Sequence, residues 1–306
     1  MATLVSSADL QARLSRHPGL IPVELDPLAE NLLWMDLGEY HCYQGLFDDA
    51  VTRWKAFHGS PISFPSRVEV LRSLEAPTEG IPPSGFIFHS GRCGSTLLAQ
   101  VLARSRENLV IAEASAHNRF WRLPSGADAE LYRKLILAMG RRRLASYRAH
   151  LVKFTSYNIL RFRRIRDAFP DVPALFLFRE PGSVLRSYRR DLPRWIARDM
   201  AVDAPLETPE TALESFFRAA LSIGDDQFRC LDYARLNQET LPHVLAFFRL
   251  NPSAPAAAQM IDGFRWDAVR GDRPFVPRSP AEGDPVEVPP SLTDLYERLR
   301  VRQPLL

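Results

Sequence analysis

The chain has 306 residues, of which 46% are hydrophobic, and 39 basic against 36 acidic side chains leave a net charge of +3. This size and apolar content can bury one large α/β core, while so small an excess of charge does not indicate a nucleic-acid partner. No apolar run approaches the roughly 20 residues of a membrane helix. Three scattered cysteines and the absence of a secretory leader favour a cytoplasmic protein.

The first 80 residues carry aromatic side chains at spacings that predict short packed helices: Trp34, Tyr40, Tyr43, Phe47, Trp54 and Phe57. Such a short, proline-broken segment would form only a thin core by itself. We therefore expect residues 1–80 to be a mainly helical extension that packs on a main domain of residues 81–306.

Residues 85–98 predict a strand, a glycine turn and the start of a helix. Gly91 and Gly94 allow successive N–H groups to point inward, and the helix N-terminus adds a partial positive charge. The loop of a nucleotide triphosphatase would place a lysine before its Ser or Thr, but Ser95 follows Gly94 directly and the nearby cation is Arg92. The pattern indicates an anion-binding loop without the lysine, or else a glycine turn of no catalytic meaning.

A second apolar strand, residues 109–112, ends at Glu113, and His117 follows four residues later. A carboxylate or an imidazole at the end of a strand can take a proton from a hydroxyl group, so Glu113 and His117 are both candidates for a base. Each also has a structural interpretation. Glu113 could cap a helix or form an ion pair, and His117 could be a bystander.

Lys153 lies in the strand-like stretch 151–155, where an alternating apolar pattern would bring it to the same edge of the sheet. A lysine on a strand edge that faces solvent is the alternative. Before it, Arg141, Arg142 and Arg143 fall on a predicted amphipathic helix, for which a solvated face is expected.

Residues 173–178 have the composition of a fully buried strand, and Arg179 stands at its end. Pro181 and Gly182 open the next helix, and Ser187 lies eight residues after Arg179. Because the carboxyl ends of parallel strands face the ligand crevice of an open α/β sheet, we expect Arg179 to lie near Arg92.

Towards the C-terminus, residues 230–236 predict another strand end, in which Tyr233 is expected to pack in the core. Arg270 and Gly271 belong to a basic segment that is either part of a ligand site or a solvated loop. Cys42, Cys93 and Cys230 are isolated, and no cluster of His, Cys and carboxylates has metal-ligand spacing, so no metal is expected.

The segment Gly91–Leu98, together with Arg179, Pro181 and Ser187, resembles the sulfotransferases that use 3′-phosphoadenosine 5′-phosphosulfate (PAPS). The first signature of that family is a strand followed by Pro-Arg/Lys-Ser-Gly-Thr-Thr, and the second is Arg-x-Pro with a serine eight residues after the arginine. The chain departs from it with Gly91 for the proline and Cys93 for the serine. The resemblance extends over roughly residues 84 to 300.

The resemblance implies an α/β protein with a three-layer P-loop-like fold around a mostly parallel sheet. It implies sulfuryl transfer from PAPS to a hydroxyl or amine of a small molecule or glycan, with no metal. The expected catalytic residues are Arg92, Glu113, His117 and Lys153. Many bacterial members of the family have a glutamate after the second strand, which makes Glu113 the first choice for the base and His117 the second. The residues expected to bind PAPS are Arg92, Cys93, Gly94, Ser95, Thr96 and Leu97 at the 5′-phosphosulfate, and Arg179, Ser187, Arg270 and Gly271 at the 3′-phosphate.

Two other functions stay open at this point, a P-loop kinase-like phosphotransferase and a catalytically silent nucleotide-binding module. The absence of the loop lysine and the pairing of Arg179 with Ser187 argue against the kinase. Nothing in the sequence identifies the acceptor or the oligomeric state.

Overall fold

The computed structural model describes residues 4–43, 45–59, 61–74, 80–192, 206, 208–267, 274, 286–302 and 304–305. Within these ranges the strands and α-helices are α1 (Ser7–Arg16), β1 (Leu20–Asp26), β2 (Asn31–Asp36), α2 (Phe47–His58), β3 (Ser63–Arg67), β4 (Pro83–His89), α3 (Ser95–Ala103), β5 (Asn108–Ala112), α4 (Ser115–Phe120), α5 (Ala129–Met139), β6 (Ala149–Lys153), α6 (Phe162–Ala168), β7 (Ala174–Phe178), α7 (Pro181–Arg190), α8 (Pro209–Ser222), β8 (Phe228–Asp232), α9 (Leu241–Phe247), α10 (Ala254–Gly263) and α11 (Pro290–Val301). None of these helices combines the length and the apolar character needed to cross a bilayer.

The main sheet has five parallel strands in the order β5, β6, β4, β7, β8. Its central strand β4 pairs with β6 on one side and β7 on the other. Every residue of β5, β6 and β7 is buried, as expected for parallel strands that are covered on both faces.

Alternate residues of β4 enter two separate cores. Phe86 and Phe88 join one face of the sheet, which packs against α5, α6, α8 and α11. Ile87 joins the other face, which packs against α3, α9 and α10. Because successive side chains of a strand point to opposite faces, one strand supplies both cores. The predicted three-layer α/β fold around a parallel sheet is confirmed.

The N-terminal segment differs from the expected mainly helical extension. It contains a three-stranded antiparallel sheet, in the order β1, β2, β3, beside the helices α1 and α2. Trp34 lies in β2 opposite Phe64 of β3, and its indole Nε1 donates a hydrogen bond of 2.8 Å to the Ser66 hydroxyl. Helices and short strands cannot be separated by apolar spacing alone, which is why the sequence did not reveal this sheet.

Of the three arginines expected on a solvated helix face, Arg142 is exposed, whereas Arg141 and Arg143 are buried at the join between the two parts of the chain. Helix α5 ends at Met139, so these residues lie beyond it. Arg141, 6% exposed, donates to the Leu14 carbonyl at 2.7 Å, and Arg143, 4% exposed, donates to the Tyr40 carbonyl at 2.7 Å. Buried guanidinium groups need such acceptors, and carbonyls of the N-terminal segment supply them. The domain boundary near residue 80 stays a prediction.

Candidate functional site

The carboxyl edge of the five-stranded sheet collects most of the predicted site residues. Each strand delivers a polar or aromatic side chain there, either as its last residue or as the first or later residue of the loop that follows. These residues are Glu113 after β5, Lys153 at the end of β6, His89 and Arg92 from β4 and its loop, Arg179 after β7 and Tyr233 after β8. This is the edge at which open α/β sheets bind ligands.

The loop between β4 and α3, residues 90–94, is called the anion loop below. Gly91 and Gly94 have φ angles of +85° and +79°, which favour glycine. A Cβ at Gly91 would lie 1.9 Å from the Tyr188 hydroxyl, which itself donates to the Ser90 carbonyl at 3.1 Å. The departure from the proline of the family signature therefore has a local cause, since Tyr188 occupies the space that a larger residue would need.

The N-terminus of α3 is open to an anion. Its N-cap, Gly94, makes no side-chain hydrogen bond, and Leu98 is the residue whose N–H bonds the Gly94 carbonyl. The amides of residues 95–97 therefore have no partner within the helix, and the helix dipole adds positive charge beside them. Helix α7 differs, because the Glu180 carboxylate already accepts hydrogen bonds from its first amides. The backbone thus favours an anion at α3.

Arg92 extends from the anion loop towards the end of α7. Its guanidinium Nη2 donates to the Asp191 carbonyl at 2.7 Å and to the Asp191 carboxylate at 2.6 Å. Asp191 directly follows the last residue of α7, and its N–H donates to the Ser187 carbonyl at 3.2 Å. Arg92 and Ser187, which are far apart in the sequence, are brought to the same region.

Arg179 contacts the anion loop directly, so the segments around Arg92 and Arg179 meet in the structure. Its guanidinium Nη1 donates to the Arg92 carbonyl at 3.4 Å and its Cζ lies 4.4 Å from the centre of the Tyr233 ring. The same ring contacts the anion loop, because a Cβ on Gly94 would lie 2.6 Å from Tyr233 Cδ2. Tyr233 is half-buried at the site and is not the core residue that the sequence favoured. Its position directly after β8, at the carboxyl end of a parallel strand, is the sequence feature that could have predicted its place at the site.

Glu113 and Lys153 form a buried ion pair at the ends of β5 and β6. The Lys153 side chain has no exposure, which excludes the interpretation of a solvent-facing edge lysine, and that of Glu113 is 18% exposed. Burial alone would raise the pKa of Glu113, but the Lys153 ammonium and the His89 ring outweigh it and lower that pKa to about 2. The carboxylate is therefore ionised at neutral pH.

The backbone is strained at Arg92 and at Glu113. Among the described residues, four that are not glycine have positive φ, and two of them are Arg92 at +49° and Glu113 at +53°. Each such residue costs on the order of 1–3 kcal/mol unless its surroundings compensate, and the strain is often found where function requires a side chain to point in one direction.

His117 is a correction to the predicted site. Its ring is 1% exposed, packs against Phe154 and Tyr132, and has no hydrogen-bond partner on either nitrogen among the described residues. Burial, with His150 nearby, lowers the pKa of His117 to about 3. It is a neutral core residue and cannot reach a substrate at the carboxyl edge as the structure stands.

Cys93 is fully buried, and its thiol donates to the Leu177 carbonyl at 3.2 Å, so only its backbone amide is available to a ligand. Arg270 and Gly271 lie outside the described residues. In the ranges that the structure describes, no three side chains of His, Cys, Asp or Glu form a group that could hold a metal.

No family model and no curated protein matches the chain. Among solved structures it is similar to a sulfotransferase domain from the curacin biosynthetic pathway, with 14% identity, a TM-score of 0.46 and coverage of 74% of this chain and 100% of that one. The sulfotransferase of Alicyclobacillus acidocaldarius has 17% identity and a TM-score of 0.42, with coverages of 72% and 95%. The mouse sulfotransferase SULT7A1, solved with PAP, has 16% identity and a TM-score of 0.40, with coverages of 77% and 87%.

Proposed function

We propose that this chain transfers a sulfuryl group from PAPS to a hydroxyl or amine of a small molecule or glycan. The observation that carries the proposal is the contact of Arg179 with the carbonyl of Arg92. It places two cationic motifs side by side at neighbouring strand ends, and a ligand with two separate anionic groups suits that arrangement. PAPS, with a 5′-phosphosulfate and a 3′-phosphate, is such a ligand.

In this proposal the open N-terminus of α3 and Arg92 bind the 5′-phosphosulfate through the backbone of residues 93–97. Arg179 and Ser187 bind the 3′-phosphate, with Arg270 and Gly271 added from outside the described residues. Asp191 now forms an ion pair with the Arg92 guanidinium, so PAPS has to displace this exposed carboxylate when it binds.

The chemistry is an in-line displacement at sulfur. The acceptor oxygen or nitrogen forms a bond to sulfur, the bond from sulfur to the bridging phosphate oxygen breaks, and adenosine 3′,5′-bisphosphate leaves. Arg92 stabilises the charge that develops on the leaving phosphate, since an arginine does not give up its proton at neutral pH. The Glu113 carboxylate takes the proton of the acceptor.

The low pKa of Glu113, about 2, makes the carboxylate a weak base towards a free hydroxyl. Proton transfer therefore comes late, after bonding to sulfur has made the acceptor oxygen acidic. Lys153 is the second fixed cation near the reaction, and in the absence of substrate its charge is balanced by Glu113. A cytoplasmic location, favoured by the free cysteines Cys42, Cys93 and Cys230, is part of the same proposal.

The first test is thermal unfolding with two nucleotides. Adenosine 3′,5′-bisphosphate should raise the Tm, whereas ATP with magnesium should not, because ATP lacks the 3′-phosphate. The second test is the transfer of labelled sulfate from PAPS to a panel of alcohols, amines and glycans. Stabilisation by ATP alone would favour a kinase, and binding of the bisphosphate without any transfer would favour a silent binding module.

A further inference from the structure

His89, the last residue of β4, links the anion loop to Glu113. His89 is buried, with 5% of the residue exposed. Ring Nδ1 accepts a hydrogen bond of 3.0 Å from the Gly91 N–H, and ring Nε2 lies 3.4 Å from Glu113 Oε1. A nitrogen that accepts from a backbone amide carries no proton, so in the neutral ring the proton is on Nε2, facing the carboxylate.

We propose that His89 is a positioning residue that holds the Glu113 carboxylate and the anion loop in one fixed relation. This inference rests on the proposed sulfuryl transfer. Lys153 and His89 both approach Oε1 of Glu113. No hydrogen bond to the other oxygen, Oε2, is formed among the described residues, and the Glu113 side chain is 18% exposed, so Oε2 is available to an acceptor. Because the ring also bonds Gly91, a shift of the loop would shift the carboxylate with it.

The protonation state of His89 matters to both contacts. A ring that takes a second proton on Nδ1 can no longer accept from Gly91, so the loop loses a backbone hydrogen bond. The titratable groups that face the ring are Glu113 after β5, Lys153 at the end of β6 and the Cys93 thiol of the anion loop. Burial and the Lys153 ammonium oppose a second proton, but the Cys93 thiol and the Glu113 carboxylate outweigh them and raise the pKa of His89. The wild-type enzyme should therefore lose kcat on the acid side as His89 becomes doubly protonated.

Two substitutions separate the two contacts. His89→Asn places an amide oxygen where Nδ1 lies and leaves nothing at Nε2, so the bond to Gly91 survives and the contact with Glu113 is lost. His89→Gln extends an amide nitrogen towards Glu113 and has no acceptor at the Nδ1 position. We expect His89→Asn to keep its affinity for adenosine 3′,5′-bisphosphate within about twofold and to lose about tenfold in kcat, the size typical of supporting contacts.

His89→Gln should show the opposite pattern, with the affinity for the bisphosphate reduced by about fivefold or more and a smaller loss of kcat. The acid limb of the kcat profile should disappear in His89→Asn. Equal losses of affinity and kcat in both variants would show a structural role only, and wild-type kcat in His89→Asn would overturn the link to Glu113.

A spectroscopic measurement tests the tautomer of the His89 ring in the unaltered protein. At a pH above the raised pKa of His89, the ¹⁵N shifts of its ring should show an unprotonated Nδ1 and a protonated Nε2, and the Nε2 signal should move in Glu113→Gln. A proton on Nδ1 would overturn the proposal. If the ring has the expected tautomer and no acceptor is sulfated, the proposed function fails while the nucleotide affinities and the spectra still decide the role of His89.

Discussion

The ion pairs in the two halves of the carboxyl edge differ in their exposure to solvent. On the side of β4 and β7, the Arg92 side chain is 35% exposed and its ion-pair partner Asp191 is 77% exposed. On the side of β5 and β6, Lys153 has no exposure and pairs with Glu113. Exposed ion pairs contribute about 0–1 kcal/mol, whereas removal of one partner from a buried pair costs about 3–5 kcal/mol.

This difference matches two different tasks. An incoming anion can replace Asp191 on Arg92 at little energetic cost, so the exposed half suits a ligand that binds and leaves. The buried pair resists replacement, so the other half suits a proton acceptor that must keep one orientation. Changes in the exposed half should therefore act on the binding and the departure of the donor, and changes in the buried half on proton transfer and stability.

The largest effect is expected for Arg92→Ala. It removes the cation of the anion loop and should lower kcat by about 10³-fold, because fixed charge at the leaving group is lost in the transition state. Arg92→Lys keeps the charge and should retain at least about a tenth of wild-type turnover. Steady-state sulfate transfer measures both, and near-normal turnover of Arg92→Ala would remove the loop from the mechanism.

Next in size is Glu113→Gln, which keeps the side-chain volume and removes the proton acceptor. We expect kcat to fall by about 10²-fold while the affinity for adenosine 3′,5′-bisphosphate stays unchanged. His117→Phe is the matched control, since it preserves a buried ring and should leave turnover intact. An active Glu113→Gln beside a folded but inactive His117→Phe would transfer the role of base to His117.

Arg179→Ala should weaken binding of adenosine 3′,5′-bisphosphate by about 30-fold, because a charge-assisted contact with phosphate is lost. Isothermal titration calorimetry measures this. Arg189→Ala, on the exposed face of α7, removes the same charge from the helix that follows Arg179 and should change the affinity little. Equal effects of the two substitutions would mean that only overall charge matters and that the 3′-phosphate binds elsewhere.

The buried half also predicts a pH dependence of stability. The pKa of Glu113 is lowered in the folded protein from its ordinary value of 4.5 to about 2. A carboxylate with a depressed pKa stabilises the fold above its unfolded pKa, and this contribution is lost as the pH falls through the folded value. The unfolding free energy should therefore drop by about 2–3 kcal/mol between pH 5 and pH 2 on account of this group. Urea titrations of Glu113→Gln should lack that component, and identical pH profiles of the two proteins would contradict it.

The smallest effect is expected for Asp191→Asn. Its carboxylate competes with the donor for Arg92, so its removal should tighten nucleotide binding by about two- to fivefold, in line with the low value of exposed ion pairs. A titration at low and at high salt checks the cause, since the gain should shrink as salt screens the original pair. Weaker binding would show that Asp191 helps to orient Arg92.

The sequence by itself determined the parts of the site that depend on local geometry. A glycine turn between an apolar strand and a helix defines the anion loop around Arg92, and a strand followed by Pro181 and Gly182 locates Arg179. The sheet was also predictable, because strands buried on both faces leave continuous apolar runs. Each of these sequence patterns involves only one strand and the turn that follows it, so it can be recognised without the tertiary structure.

Only the tertiary structure decided which charges are paired and which are buried. Glu113 and Lys153 are 40 residues apart and meet because β5 and β6 are neighbours in the sheet. The same packing links His89 to Glu113 and removes His117 from the site. Burial and pairing depend on strand order and on side chains from distant segments, so no local pattern could specify them.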